Sequence, residues 1–162
     1  MKVTLSKYAG FCDGVERAYE IVKEIAKKPD IKRPIFILGS LVHNEDVVES
    51  IEKMGIGKID FDGKVEEITK KIDKKIGTLV ITAHGIGPKI FEIARKKGVD
   101  IVDTTCPKVI KVQRLAQAFF GRNHQVIIIG EEKHKEVQGI HRWARRKSFI
   151  VSSKEDIMGL EL

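Results

Sequence analysis

Cys106 is the residue of this sequence whose setting most clearly indicates chemistry. It follows an apolar run at residues 99–102, typical of a short buried strand, and the segment Asp103-Thr104-Thr105. Pro107 comes next, and proline is favoured at the first helical position, where its missing N–H costs nothing. Cys106 is therefore predicted at a helix N-terminus, where unpaired N–H groups and the helix dipole stabilise a thiolate. The alternative is a buried cysteine that acts only as a small apolar residue.

Other reactive residues also follow predicted strands. They are Cys12, His43, His84, His134 and Glu136. Because ligands bind beyond the carboxyl ends of parallel strands, we expect all of them, with Cys106, at one edge of the fold and around one cavity. A single histidine after a strand is more often a capping or core residue, but three in register with two cysteines indicate a site. His124 precedes a strand and His141 falls within a helix, so both are interpreted as ordinary.

The chemistry open to such an edge is limited. Two cysteines so far apart do not match the local pairs of a structural zinc site, but thiolates from separate segments could hold an iron–sulfur cluster. Histidines at helix N-termini, with nearby glycines such as Gly85 and Gly87, suit a phosphate or diphosphate group. Glu136 could deliver a proton to a neighbouring reacting group.

Strand and helix patterns alternate along almost the whole chain, which predicts parallel β-α-β units covered by helices. On the helix after Cys106 the apolar residues Val109, Ile110, Val112, Leu115, Ala116 and Phe119 are predicted to share one face. Ser152-Ser153 is predicted to cap a final turn that begins at Lys154. The predicted strands are residues 3–5, 34–38, 56–60, 78–82, 99–102, 125–129 and 149–151. The predicted helices are residues 13–28, 44–54, 64–75, 88–97, 107–120 and 135–146.

The two cysteines mark an internal repeat. From Cys12 to His43 is 31 positions and from Cys106 to His134 is 28, each with the order cysteine, helix, strand, histidine. A period of 94 positions between the cysteines predicts two copies of one α/β unit that face each other across a shared site. We expect residues 1–103 to form the first unit and residues 104–162 part of a second.

Composition narrows the class of protein. A chain of 162 residues with 42% hydrophobic and 33% charged content is expected to be a globular protein with a sizeable core. Two distant cysteines, no signal-peptide pattern and no long apolar run predict a cytoplasmic protein that does not bind membranes. The net charge of +7 is spread in short groups without interleaved aromatic residues, which favours solvated helix faces or an anionic small substrate over nucleic acid.

Five segments taken together resemble the 4-hydroxy-3-methylbut-2-enyl diphosphate reductase family. They are GFCDGV, LVHN, TAHG, DTTCPKVIKV and HKEVQG, in this order. The resemblance implies three similar α/β units around a central cavity, and a [4Fe–4S] cluster with Cys12 and Cys106 as two of three cysteine ligands. It implies that His43, His84 and His134 bind the diphosphate substrate and that Glu136 donates protons. It also implies reductive removal of the substrate's hydroxyl to give isopentenyl and dimethylallyl diphosphates, with electrons from a donor such as ferredoxin or flavodoxin.

The sequence departs from this family in several places. Lys135 stands where proline is usual, Ile140 where threonine is usual, and the chain resembles only about the first half of a family member. A third cysteine and a third unit are not in this chain, so residues 1–11 are expected to pair with a unit outside it. We therefore expect this chain alone to be inactive. Two alternatives are a cluster-free anion- or metal-binding module and a basic nucleic-acid-binding protein, the second being little supported by the charge distribution.

Overall fold

A four-stranded parallel sheet forms the centre of the fold. The computed structural model of the protein describes residues 1–6, 9–42, 44–61, 65–73 and 75–160. The strand order is β2-β1-β3-β4, and every neighbouring pair is parallel. The strands are β1 (Ile35–Leu38), β2 (Ile56–Ile59), β3 (Thr78–Ile81) and β4 (Asp100–Asp103). A separate parallel pair contains β5 (Ile127–Ile129) and β6 (Phe149–Val151).

Seven helices lie among the described residues, and most of them connect one parallel strand to the next. Their bounds are α1 (Asp13–Lys27), α2 (Glu45–Lys53), α3 (Val65–Lys71), α4 (Pro88–Lys97), α5 (Pro107–Gly121), α6 (Lys135–Trp143) and α7 (Lys154–Met158). Parallel strands require such crossovers, so the prediction of an α/β fold built from repeated parallel β-α units is confirmed. None of the helices in these described stretches is both long enough and apolar enough to cross a membrane.

The central strand β3 joins two hydrophobic cores. Leu79 and Ile81 point into the core that α3 and α4 cover, whereas Val80 points into the core that α1 and α2 cover. Successive side chains of a strand alternate between faces, so a strand buried on both faces is apolar throughout. Burial on both faces explains why this stretch is the clearest strand in the sequence.

Two predictions about local structure are wrong. Residues 3–5 are not a strand: Val3 and Leu5 are exposed, and no described strand pairs with them. An isolated apolar run cannot satisfy the hydrogen bonds of a strand without a neighbour. The prediction that these residues pair with a further unit stays a prediction.

The apolar residues of α5 do not share one face. Val109 and Ala116 are buried together with Gln113, whereas Val112, Leu115 and Phe119 are between 44% and 47% exposed. Residues 109, 113 and 116 have the i, i+4, i+7 spacing of one helical face, and residues 112, 115 and 119 have the i, i+3, i+7 spacing of another. The helix therefore carries two faces that sequence inspection combined.

The chain changes from one sheet to the other between β4 and β5. Most predicted element boundaries lie within two residues of the observed ones, but α3 ends at Lys71 instead of residue 75, and α6 ends at Trp143 instead of residue 146. Arg145 and Arg146 adopt left-handed backbone angles, with φ of 53° and 58°, and this conformation ends the helix. The capping box at Ser153 is confirmed, with Asp156 as its partner. The division of the chain at residues 103 and 104 remains a prediction.

Candidate functional site

The loop after β4 places Cys106 at the N-terminus of α5. Thr104 and Thr105 are buried, and the Thr104 backbone N–H donates to the Ile81 carbonyl over 3.1 Å. The Asp103 carboxylate accepts hydrogen bonds from the backbone N–H and the hydroxyl of Thr105. The Cys106 N–H donates to the Ala83 carbonyl over 2.9 Å, so this loop is joined to the end of β3. Cys106 itself is the N-cap, and Pro107 is the first helical residue, as predicted.

The first turn of α1 lies directly against Cys106. Cys12 is the exposed N-cap of α1, and its carbonyl accepts from the Val15 and Glu16 N–H groups over 2.9 Å each. A Cβ atom on Gly14 would lie 2.7 Å from the Cys106 Sγ atom, closer than van der Waals contact permits. The two helix N-termini that carry the cysteines are therefore neighbours.

His84 and Glu136 meet although 52 residues separate them. His84 follows β3, and the left-handed residue Gly85, with φ of 71°, turns the chain after it. The His84 Nδ1 atom lies 3.2 Å from the Glu136 Oε1 atom, and both side chains are partly exposed. A carboxylate held by a histidine and open to solvent can exchange a proton with a bound molecule.

Helix α6 brings Glu136 to His84 through contacts on either side. The Trp143 Nε1–H donates to the Ile86 carbonyl over 2.9 Å, so α6 is joined to the loop after β3. Gly87 has no room for a side chain, because a Cβ atom there would lie 2.6 Å from the Arg142 Cβ. These contacts bring the second part of the chain onto the carboxyl end of the first sheet.

His134 is the N-cap of α6. Its Nδ1 atom accepts from the Glu136 N–H over 3.3 Å, and the side chain is exposed. This bond occupies one ring nitrogen in capping and leaves the other for a ligand. His134 thus caps its helix, which is the ordinary role that the sequence analysis weighed against ligand binding. The capping bond does not use the Nε2 atom. His43 lies outside the described residues.

A basic cavity of about 140 Å³ opens beside His84. Lys133, Lys135 and Arg142 contribute cationic side chains to its wall, and Ser40 and Thr82 contribute hydroxyl groups. Burial, and next the charge of Arg146, lower the pKa of the Arg142 guanidinium, which nevertheless stays protonated at neutral pH. Such a wall suits a phosphate or diphosphate.

The predicted residues form two groups. One group contains Cys106 and the N-terminus of α1, which carries Cys12. The other contains His84 and Glu136. The backbone hydrogen bond from Cys106 to Ala83, the residue before His84, connects the two groups. Neither cysteine lines the basic cavity, and His134 does not line it either. Convergence of all these residues on a single cavity therefore remains a prediction.

Sequence reasoning missed several residues of the site. Lys133 and Arg142 line the cavity, and Arg17 donates from Nη1 to the Thr105 carbonyl over 3.3 Å. Arg17 lies three positions after Gly14 and hence on the same face of α1, and this spacing could have indicated that Arg17 lies near the site. Arg142 gave no signal, because its position depends on how α6 packs.

The cysteines are the residues that could hold a cofactor. Thiolates are the ligands that iron–sulfur clusters take, and the helix N-termini that carry the two cysteines are neighbours. In the part of the chain with described coordinates, no three His, Cys, Asp or Glu side chains are grouped closely enough to hold a metal ion. The donor set thus fits part of a cluster site and does not complete one.

Comparison with known proteins identifies the family and several relatives of this chain. The family model described as "LytB protein" matches residues 3–161. The 4-hydroxy-3-methylbut-2-enyl diphosphate reductase of Caldanaerobacter subterraneus is 37% identical over 161 residues, which are 99% of this chain and 53% of the relative. The enzyme of that name from Bacillus subtilis is 36% identical over 153 residues, 94% of this chain and 48% of the relative.

Solved structures show the same fold. The E-1-hydroxy-2-methyl-but-2-enyl-4-diphosphate reductase of Plasmodium falciparum superposes with a TM-score of 0.79 at 36% identity, covering 96% of this chain and 46% of that one. A second reductase, titled as the terminal enzyme of the non-mevalonate pathway, gives a TM-score of 0.77 at 31% identity. The chain spans about half the length of the curated relatives it matches. It belongs to the LytB protein family.

Proposed function

We propose that this chain forms the N-terminal part of a reductase that removes the hydroxyl group of 4-hydroxy-3-methylbut-2-enyl diphosphate. The observation that carries the proposal is the contact between His84 and Glu136 beside a basic cavity at the carboxyl end of the sheet. A proton-transferring pair next to an anion-binding wall is what a diphosphate with a leaving hydroxyl requires. The names of the relatives support this substrate.

The basic wall would bind the diphosphate. Lys133, Lys135 and Arg142 supply positive charge, and Arg142 can donate two parallel hydrogen bonds to a phosphate. His84 also lines the cavity and would add a donor. His43 and His134 would add donors if they lie where the family resemblance implies. Lys135 lies in the first turn of α6, so its charge extends the wall at a position where the family usually has proline.

Glu136 would protonate the leaving hydroxyl. The overall reaction consumes two electrons and two protons; the allylic C–O bond breaks, the oxygen leaves as water, and the carbon skeleton gains one hydrogen. His84 holds the carboxyl group of Glu136 in one orientation, so that the proton is delivered from a defined position. A ferredoxin or flavodoxin would supply the electrons.

Cys12 and Cys106 would be protein ligands of a [4Fe–4S] cluster, with a third cysteine from outside this chain. When bound, the cluster would pass the two electrons to the substrate. Gly14 allows the two helix N-termini to approach, and backbone N–H groups at helix N-termini favour negative charge on a bound group. This ligand role is a proposal that rests on the two thiols' positions and on the family.

Binding of inorganic diphosphate to the chain, measured by calorimetry, tests the anion site. We expect Lys135→Ala and His84→Asn each to weaken binding, by about tenfold for loss of one charge-assisted hydrogen bond. Lys27→Ala is the matched control, because Lys27 lies in the last turn of α1, at the opposite end of the sheet. Equal binding by all three variants would place the anion elsewhere and contradict the proposal.

Anaerobic reconstitution with iron and sulfide tests the cluster ligands. Thiolate-to-iron absorbance should develop when the chain is mixed with a polypeptide carrying the remaining part of a relative. Cys12→Ser and Cys106→Ser should each reduce that absorbance. If the mixture binds diphosphate but never develops the absorbance, the chain is an anion-binding module without reductase chemistry.

A further inference from the structure

Gln113 is a buried amide on α5 that the proposed chemistry does not use. Its side chain is 5% exposed and lies on the buried face of the helix, between Val109 and Ala116. Its Nε2 atom is fully buried and has no hydrogen-bond partner among the described residues. An unpaired buried donor is destabilising, whereas an apolar side chain of the same shape would avoid the penalty. Its retention therefore calls for an explanation.

Two glycines from different elements make room for this amide. A Cβ atom on Gly85, in the turn after His84, would lie 2.7 Å from the Gln113 Nε2 atom. A Cβ atom on Gly139, one helical turn after Glu136, would lie 3.1 Å from the same nitrogen. The nitrogen thus occupies a slot between the turn that carries His84 and the helix that carries Glu136. The same Cβ atom on Gly85 would also lie 2.8 Å from the Thr105 methyl carbon.

Two acceptor oxygens lie beside this slot. The Thr105 Oγ1 atom lies 3.3 Å from the Gly85 Cβ position, and the His84 carbonyl oxygen lies 3.9 Å from the Gly139 Cβ position. The Thr105 hydroxyl hydrogen already goes to the Asp103 carboxylate, so its oxygen can only accept. These two acceptors favour the NH₂ end of the amide, because an amide oxygen could not form a hydrogen bond with either of them.

We propose that Gln113 is a positioning residue that sets the spacing between the Cys106 loop and the His84–Glu136 pair. Thr105 directly precedes Cys106, Gly85 directly follows His84, and Gly139 lies on the helix of Glu136, so one side chain borders all three segments. The amide N–H groups pair with the Thr105 hydroxyl oxygen or the His84 carbonyl when these segments close on a bound diphosphate. The effect of this spacing on catalysis rests on the proposed function, whereas the contacts of Gln113 do not depend on it.

Gln113→Met tests this role, because methionine keeps the length and volume of glutamine and removes both polar atoms. Gln117→Met is the matched control: Gln117 lies one turn later on the same helix and is exposed. The readouts are the melting temperature, the imidazole ¹⁵N chemical shifts of His84, and the rate at which Cys106 reacts with a disulfide reagent in a Cys12→Ser background. None of them requires a cluster or turnover.

We expect Gln113→Met to melt at the same or a higher temperature than the parent. The His84 resonances should shift, and the Cys106 thiol should react about threefold faster or more as its loop loosens. Saturating inorganic diphosphate should shift the His84 resonances less in the variant than in the parent. Gln117→Met should change none of these quantities.

A Gln113→Met protein with unchanged His84 resonances and unchanged Cys106 reactivity would overturn the proposal, whatever its melting temperature, because Gln113 would then be packing alone. If Gln113→Met does not fold, Gln113→Leu, which is also apolar and is smaller, decides the question by the same readouts. If His84 and Cys106 respond but no cluster ever assembles, the positioning role stands and the reductase function fails.

Discussion

At Gly14 the first turn of α1 comes so close to Cys106 that no side chain fits between them. The Cβ of an alanine would lie 2.7 Å from the sulfur and 3.0 Å from the Cys106 Cβ, and both atoms belong to a short side chain that cannot swing away. This residue therefore determines how near the two cysteine-bearing helix N-termini can be. It has that effect through size alone, without chemistry of its own.

Gly14→Ala should lower the free energy of unfolding by about 1–3 kcal/mol, the usual cost of overpacking a close contact. Urea denaturation followed by circular dichroism measures the change. Gly121→Ala is the control, since Gly121 is also helical and has nothing within 4 Å of its Cβ position. There we expect no loss, or a gain of up to about 1 kcal/mol from the smaller backbone entropy of alanine. Equal effects at the two glycines would show that the Cys106 contact is not tight.

Glu136→Gln should leave diphosphate binding nearly unchanged and reduce turnover about 10²–10⁴-fold, the usual contribution of a general acid. The amide keeps the shape and can still bond to His84, but it carries no transferable proton. The measurement is an anaerobic assay of the chain mixed with the remaining part of a relative. Glu155→Gln is the control, because Glu155 follows a lysine at the same position in the first turn of α7. Unchanged turnover in Glu136→Gln would leave Glu136 as a helix N-terminal charge.

Helix α6 connects the site to the second part of the chain. Its N-terminus carries His134 and Glu136, its middle faces the Gln113 slot through Gly139, and its end anchors to Ile86 through Trp143. His141, near the C-terminus of α6, lies 2.6 Å from the Ser148 Oγ through its Nδ1 atom. The stability of this helix therefore bears directly on the geometry of the site.

The pKa of His141 is lowered from its ordinary value of 6.5, first by burial and next by the charges of Arg146 and Arg142. Glu132 and the bond to Ser148 act in the opposite direction and do not offset this. Because the unfolded chain takes up the proton more readily, the neutral imidazole contributes stability above pH 6.5, and this contribution is lost as the pH falls through the folded-state pKa.

The melting temperature should therefore fall as the pH drops below about 6.5, and His141→Gln should flatten that dependence. Scanning calorimetry between pH 5 and 8 measures both curves. His124→Gln, at an exposed histidine, should keep the dependence of the parent. A parent curve that stays level through this range would contradict the lowered pKa of His141.

On the scale of the whole molecule, exposed large apolar residues lie both in residues 1–11 and in the second part of the chain. Its most exposed large residues there include Val112, Leu115, Phe119, Ile127, Ile129 and Met158. Five of these six are more than 44% exposed. The chain also contains only two cysteines. Both features agree with a polypeptide that spans half of its relatives.

This chain alone should not catalyse repeated turnovers of 4-hydroxy-3-methylbut-2-enyl diphosphate. Two thiolates leave irons of a four-iron cluster without protein ligands, and a cluster edge open to water weakens electrostatic binding and admits oxygen. The check is an anaerobic assay of the reconstituted chain with a strong artificial reductant, which follows loss of substrate. Addition of the remaining part of a relative as a separate polypeptide should restore activity. Multiple turnovers by the chain alone would require a second copy or a non-cysteine ligand to complete the cluster.

The α/β fold could be predicted from the sequence because its signals are local. The apolar run at residues 78–81, the N-cap positions of Cys12 and Cys106, and the capping box at Ser153 each depend on a few neighbouring residues. His84 was expected at the carboxyl edge of the sheet because it follows a strand, and the carboxyl ends of parallel strands share an edge. The residue types and their order along the chain were sufficient for these predictions.

The tertiary structure alone decided the contacts between segments that are far apart in the chain. The 3.2 Å contact of His84 with Glu136, the exclusion of a side chain at Gly14, and the slot for Gln113 all depend on how α5 and α6 pack against the first sheet. The exposure of one face of α5 and of residues 3–5 is also decided by tertiary packing, because burial depends on the neighbours that a segment meets. Sequence periodicity shows which residues can face a core, and only packing selects the face that does.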